Sequence, residues 1–230
     1  MPSRNAAARA SIAVTAAAPS GMAVGVLALC FVMGLLARAL PDCFAVYVVP
    51  LTRDFGWDRA EVVSIYSCYA LAGALAGPLV GRLFDRSGPR TVYLAGILLL
   101  GGALVLGSFA RSLWQGQATI GLGGGIAVTG IGNIANTPLL SRWYGQRLVF
   151  ATSIVFSGYG LGTFTLLPLS QFLVDRWQWR GAYLRLGLGI LALLLPLLAL
   201  PWRRIRAGDP RLARPATAAS AGFDGGLTLL

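Results

Sequence analysis

The chain has 230 residues, 56% hydrophobic and 12% charged, with a mean hydropathy of +0.70. Soluble domains carry roughly 25% charged residues, so the composition excludes a water-soluble globular protein and requires an integral membrane one. The net charge of +11 comes from 19 arginines with no lysine or histidine, and these lie between apolar stretches rather than on one basic face, which makes them topology signals and not a nucleic-acid surface.

Residues 1–21 are Ala-rich with Arg4 and Arg9, too weakly apolar to span a bilayer, and read as a disordered cytoplasmic tail. Ala16-Ala17-Ala18 imitates a signal-peptidase site, but the apolar run before it is feeble and the strong one begins after it, so cleavage is not expected. Six apolar stretches follow, at 22–49, 60–81, 90–110, 116–141, 147–174 and 180–201. Each is near or above the ~20 residues that cross ~30 Å of hydrocarbon. The expected fold is therefore all-α, six transmembrane helices over 22–201, with both termini on one side. Twelve arginines fall on that side (4, 9, 82, 86, 90, 142, 147, 203, 204, 206, 211, 214) and five on the other (53, 59, 111, 176, 180). The excess makes the terminal side cytoplasmic. Residues 202–230 begin Arg-rich and turn into Ala, Gly, Ser and Thr, the composition of a cytoplasmic linker leading to a second set of spans that the sequence does not contain.

Between the second and third stretches lies Gly81-Arg82-Leu83-Phe84-Asp85-Arg86-Ser87-Gly88-Pro89-Arg90. Four of the ten residues are charged, and Ser87-Gly88-Pro89 supplies a turn and a helix start, so this is a tight loop outside the hydrocarbon. The decamer resembles the signature loop of major facilitator superfamily transporters, with Pro89 where that family usually has a basic residue. The resemblance implies that Gly81, Asp85, Arg86, Gly88 and Arg90 form a gating loop. Further pieces narrow it: Phe55-Gly56-Trp57-Asp58-Arg59, Trp143-Tyr144 with Arg147, Gly158-x-Gly160-x-Gly162 with Pro168, and Trp179-Arg180-Gly181-Ala182-Tyr183. Together these are similar to the monocarboxylate transporter and oxalate:formate antiporter branch. That likeness implies the N-terminal half of a secondary active transporter for a small organic anion such as a monocarboxylate, working by alternating access with or without a coupling ion. Its expected place is the cell membrane as a multi-pass protein, a bacterial inner membrane in particular. Two features depart from the branch: Gln117 stands where an arginine is frequent, and the first span lacks an acidic-Gly-aromatic opening.

The chain also repeats itself at a separation of 90 residues. Laying Ser67 to Arg90 over Ser157 to Arg180 aligns Ser67 with Ser157, Tyr69 with Tyr159, Pro78 with Pro168, Asp85 with Asp175, Arg86 with Arg176 and Arg90 with Arg180, besides three leucines. Three spans separate the copies, so they point in opposite directions, as in a three-plus-three inverted repeat. Gly73, Gly77 and Gly81, Gly121 and Gly125, and Gly158 and Gly162 form small-residue stripes where helices approach closely. Pro78, Pro138, Pro168 and Pro196 are expected to kink or break their helices.

Sparse polarity near the midplane marks candidate substrate contacts. Arg38 is the leading one, because an ionised side chain there costs about 2.5 to 3.5 kcal/mol on insertion scales unless a partner or a wet cavity compensates it. Asp42, four residues on, is an obvious neutraliser. Asn133, Asn136, Tyr69 and Tyr159 are lesser candidates, each with helix-to-helix hydrogen bonding as the competing role. Cys30, Cys43 and Cys68 read as small packing residues. No nucleophile with a base, metal-ligand cluster or phosphate loop appears in the sequence, so no enzyme, cofactor or metal is expected. The expected partners are the bilayer, the anion and a second six-helix half. Two rival readings stand beside this one: a membrane fragment with no transport of its own, and a major facilitator exporter of another class of small molecule.

Overall fold

In the computed structural model, residues 21–38 and 40–209 are described, and among them every regular element is helical. The tail at 1–20 and the stretch 210–230 lie outside the described residues. Ten α-helices are numbered here in chain order. The runs Arg59–Ser87, Pro89–Ser108 and Leu113–Ala199 are long and apolar enough to cross a membrane by length and composition, and Gly21–Ala37 is a shorter apolar helix.

Helices α1 (Gly21–Ala37) and α2 (Phe44–Phe55) occupy the stretch expected to be one continuous span. The break between them is a finding with a local cause. Pro41 has no N–H to donate, and its ring excludes the preceding helical carbonyl. The chain instead makes turn bonds, with the Asp42 amide donating to the Arg38 carbonyl at 3.3 Å and the Phe44 amide to that of Leu40 at 3.2 Å.

α3 (Arg59–Ser87) starts with Glu61 accepting the Asp58 amide at 2.9 Å and stops at Gly88, whose φ of 81° places it in the left-handed region that glycine favours. Pro89 opens α4 (Pro89–Ser108) at the first helical position, where a missing N–H is harmless. The fourth apolar run is segmented: α5 (Leu113–Gly116), a wider π turn over Gln117–Gly123, α6 (Gly124–Ile131) and α7 (Asn133–Tyr144), with Gly132 extended at φ −86° and ψ −152° between the last two. α8 (Leu148–Ala192) is two arms meeting at Trp177 and Gln178, whose backbone leaves the helical region. α9 (Leu194–Ala199) follows a turn at Leu193, and Pro196, four residues after Ala192 where α8 ends, has no N–H to give that carbonyl. Pro78, Pro138 and Pro168, by contrast, sit inside α3, α7 and α8 without interrupting them. α10 (Trp202–Ala207) folds back onto the bundle, so the stretch expected to open a linker at 202 packs instead: the Trp143 indole N–H donates to the Ile205 carbonyl at 3.0 Å, and the Asp209 amide to the Arg142 carbonyl at 3.0 Å.

Glycine sets the closest crossings. A Cβ on Gly125 of α6 would press on the Tyr69 carbonyl and come within 3.0 Å of the Gly73 nitrogen in α3, while one on Gly158 of α8 would come within 2.9 Å of the Phe31 carbonyl in α1. Backbones so close gain dispersion and weak Cα–H contacts that a side chain would prevent. Gly81 departs from its stripe, because a Cβ there meets open space.

Candidate functional site

The break between α1 and α2 brings Arg38 to the edge of an open cleft of about 440 Å³ lined by residues of α3, α6, α7 and α8. Pro41 lines the same edge, Tyr69 and Gly73 come from α3, and Thr129, Gly132 and Asn133 come from the region of the second break. Phe156 and Tyr159 close the α8 side. Of the five expected substrate contacts, the fold thus brings Arg38, Tyr69, Asn133 and Tyr159 together.

Arg38 is fixed by a fork. Its Nε donates to Asp42 Oδ2 at 2.8 Å and its Nη2 to Oδ1 at 2.5 Å, and the Thr163 hydroxyl of α8 also donates to Oδ2. The carboxylate is therefore three times an acceptor and only 14% exposed, while the Arg38 side chain is 43% exposed. No described residue takes a hydrogen bond from Nη1, so one edge of the guanidinium holds Asp42 and the other has no partner among the described residues, on a residue that lines the cavity. A planar guanidinium with one edge committed is well suited to grip a second carboxylate by the other. Opposite it, the Tyr159 hydroxyl donates to Asn133 Oδ1 at 2.5 Å, leaving the Asn133 amide N–H groups available. Thr129 donates to the carbonyls of Gly125 and Gly73 at 2.9 and 3.2 Å, tying α6 to α3 at the cavity wall.

Asn136 is placed elsewhere. It is 1% exposed, accepts the Tyr93 hydroxyl at 2.6 Å and donates to the Cys30 carbonyl at 3.4 Å, a bridge between α7, α4 and α1. Its position corrects the expectation that it faces substrate: it is one turn past Asn133, on the packed side of α7. Thr163 is the residue that sequence reasoning passed over. It stands one turn beyond Tyr159 on the same face of α8, and its partner Asp42 is 121 positions away.

The decamer lies at one end of the bundle. Asp85, Arg86 and Arg90 are exposed and Gly88 is buried, with the Arg206 side chain packed over it. At the opposite end, Asp54 at the end of α2 accepts the Trp179 indole N–H at 3.0 Å and lies 3.6 Å from Arg180, which itself donates to the Ser108 carbonyl at 3.0 Å.

The family model of the Major Facilitator Superfamily matches residues 23–229. Relatives include monocarboxylate transporter 12-B of Danio rerio, 33% identical over 166 residues covering 70% of this chain and 34% of the relative. Monocarboxylate transporter 12 of Homo sapiens is 31% identical over 166 residues, covering 70% and 31%, and monocarboxylate transporter 3 of Rattus norvegicus is 32% identical over 166 residues, covering 70% and 33%. The chain spans about a third of the length of these curated relatives. A match over nearly all its length, on an all-helical apolar architecture, places the chain in the major facilitator superfamily of multi-pass membrane transporters, with similarity to the monocarboxylate transporters.

Proposed function

We propose that the chain is the N-terminal half of a secondary active transporter for a small organic anion such as a monocarboxylate, crossing the membrane six times over 22–201 with both termini cytoplasmic. The observation that carries the reading is a pair of breaks. The interruption at Arg38–Cys43 and the one at Gly132 are displaced by 90 residues, since Gly132 corresponds to Asp42, and both border the cavity. Interrupted helices in corresponding positions of two inverted repeats are the structural mark of a midplane substrate site, because the freed backbone groups and the lining side chains can face a ligand there.

The packing supports the same repeat. Gly121 lies against Cys68 and Gly158 against Phe31; subtracting 90 turns Gly121 into position 31 and Gly158 into position 68. The two crossings are thus one pair used twice, with the glycine moved to the other partner. Gly101 lies against Leu191, a pair that the same displacement maps onto itself.

In this reading Arg38 binds the carboxylate of the anion by its open edge, Tyr69, Tyr159 and Asn133 orient it, and the second half of the transporter closes the site. The decamer, with Asp85, gates the cytoplasmic side. The test is uptake of labelled lactate, pyruvate and formate by proteoliposomes of the protein containing this chain. Saturable uptake that other monocarboxylates compete away, and that neutral sugars do not, is the expected result; transport of neutral solutes alone would refute the anion reading. Asp85→Asn should lower uptake without altering the amount inserted, and unchanged uptake would leave Asp85 a turn residue.

A further inference from the structure

The six residues of α10 are divided by face. Trp202 and Ile205, three apart, are buried, with the Trp202 indole donating to the Leu197 carbonyl at 2.6 Å, while Arg203, Arg204 and Arg206 are exposed. The helix is held at a fixed depth: Trp143 binds the Ile205 carbonyl, Arg142 binds the Arg206 carbonyl at 3.5 Å, and Arg206 packs over Gly88. That last contact brings Arg206 against the turn whose flanking residues Arg86 and Arg90 are also exposed. Neither of the two ion pairs among the described residues involves any of these five arginines. Asp85 and Asp209 are the acidic side chains on the segments involved. The result is a surface with five exposed arginines against two aspartates immediately beyond the apolar helix α9, on a helix held to the bundle by the buried Trp202.

We propose that Arg203, Arg204 and Arg206, continued by Arg86 and Arg90, bind the headgroups of anionic phospholipids in the leaflet at this end of the bundle. Long arginine side chains at a membrane edge reach headgroup phosphates while their stems stay against apolar surface, and the guanidinium fork matches a phosphodiester bidentately. Each basic residue near an anionic surface strengthens attachment about fivefold, and the attraction is screened by salt. The arrangement has a consequence for the decamer: lipid held on Arg206 lies beside Gly88, which the Arg206 side chain covers, so the leaflet composition bears on the turn between α3 and α4. The inference needs only a chain that sits in a bilayer, and it is independent of the transported anion.

The test uses the purified protein containing this chain in nanodiscs of phosphatidylcholine with or without phosphatidylglycerol, followed by native mass spectrometry of retained lipid and by thermal denaturation. Phosphatidylglycerol should be retained in preference to phosphatidylcholine and should raise the melting temperature, with both effects weakening as salt is added. Retention should fall about fivefold for each of Arg203→Gln, Arg204→Gln and Arg206→Gln, and the triple lysine variant should keep most of it. Arg53→Gln and Arg59→Gln, at the opposite end, should change nothing. Equal retention of the two lipids, undiminished retention in the triple glutamine variant, or complete displacement by inorganic phosphate would overturn the proposal.

Discussion

Both donors on one edge of the Arg38 guanidinium go to the Asp42 carboxylate, at 2.8 and 2.5 Å, across a turn that Pro41 has taken out of helical geometry. An i,i+4 pair on an intact helix would neutralise itself on the helix surface. Here the broken backbone and the Thr163 hydroxyl hold the carboxylate aside, and the arginine is left with an edge to spare. Arg38→Lys keeps the charge and loses the fork, so anion uptake should fall at least about tenfold, the equivalent of one lost charge-assisted hydrogen bond, with the folded amount nearly unchanged. Asp42→Asn should instead lower stability by about 1 kcal/mol, the exposure of the arginine limiting the loss. Normal uptake by Arg38→Lys, or loss of folded protein in both variants, would make Arg38 a structural residue.

The glycine crossings should be steep in their response to a side chain. Gly125→Val places atoms within 3.0 Å of the Gly73 nitrogen and 3.1 Å of Ala72 Cβ, and backbone cannot yield as a flexible side chain does. Overpacking of this kind costs about 1 to 3 kcal/mol, so monodisperse protein recovered by size-exclusion chromatography should fall severalfold. Gly81→Ala and Gly102→Ala, where a Cβ meets nothing within 4 Å, should match the parent. Equal behaviour of all three would mean that α3 and α6 are not in close contact in the membrane.

Much of this was legible in the sequence because it is local or periodic. The helical, apolar character of the chain and the turn at Ser87-Gly88-Pro89 rest on spacings within a few turns. The fate of each proline was not. Pro78 and Pro168 are carried inside continuous helices while Pro41 lies in a break between two, so a proline by itself does not announce an interruption, and the Thr163 hydroxyl that meets Asp42 at that break comes from 121 residues away. Asn133 and Asn136 make the same point. They are one turn apart, and only the placement of Tyr159 and Tyr93 decides that one borders the cavity and the other bridges three helices.

The side assignments can be checked directly. With Cys30, Cys43 and Cys68 replaced by alanine, a single cysteine at Gly145, in the turn after α7, should react with an impermeant maleimide only when the cytoplasmic side is exposed. A cysteine at Arg111, in the turn after α4, should react from outside. The reverse pattern would invert the topology and put the decamer on the wrong face for a cytoplasmic gate.

The final prediction concerns the end of the bundle opposite α10. Asp54 accepts the Trp179 indole at 3.0 Å and pairs with Arg180 at 3.6 Å, while Arg180 also donates to the Ser108 carbonyl and lies over the Trp179 ring at 4.3 Å and over Phe55 at 5.5 Å. One side chain thus joins the ends of α2 and α4 to the second arm of α8, just past its kink at Trp177 and Gln178. The ion pair itself is weak, because its members are 39% and 48% exposed, and such pairs contribute about 0 to 1 kcal/mol. The hydrogen bond to a backbone carbonyl adds about 1 kcal/mol and the ring contacts about 0.5 to 1 kcal/mol each. Removing them together ranks the variants: Arg180→Ala should be the most destabilising at about 2 kcal/mol, Trp179→Phe intermediate because the ring remains while its donor is lost, and Asp54→Asn mildest because the amide oxygen still accepts the indole. Thermal denaturation in detergent should show that order, and high salt should erase the small Asp54→Asn difference while leaving the Arg180→Ala one. If Asp54→Asn proves as costly as Arg180→Ala, the charge pair and not the packing of Arg180 holds this end together.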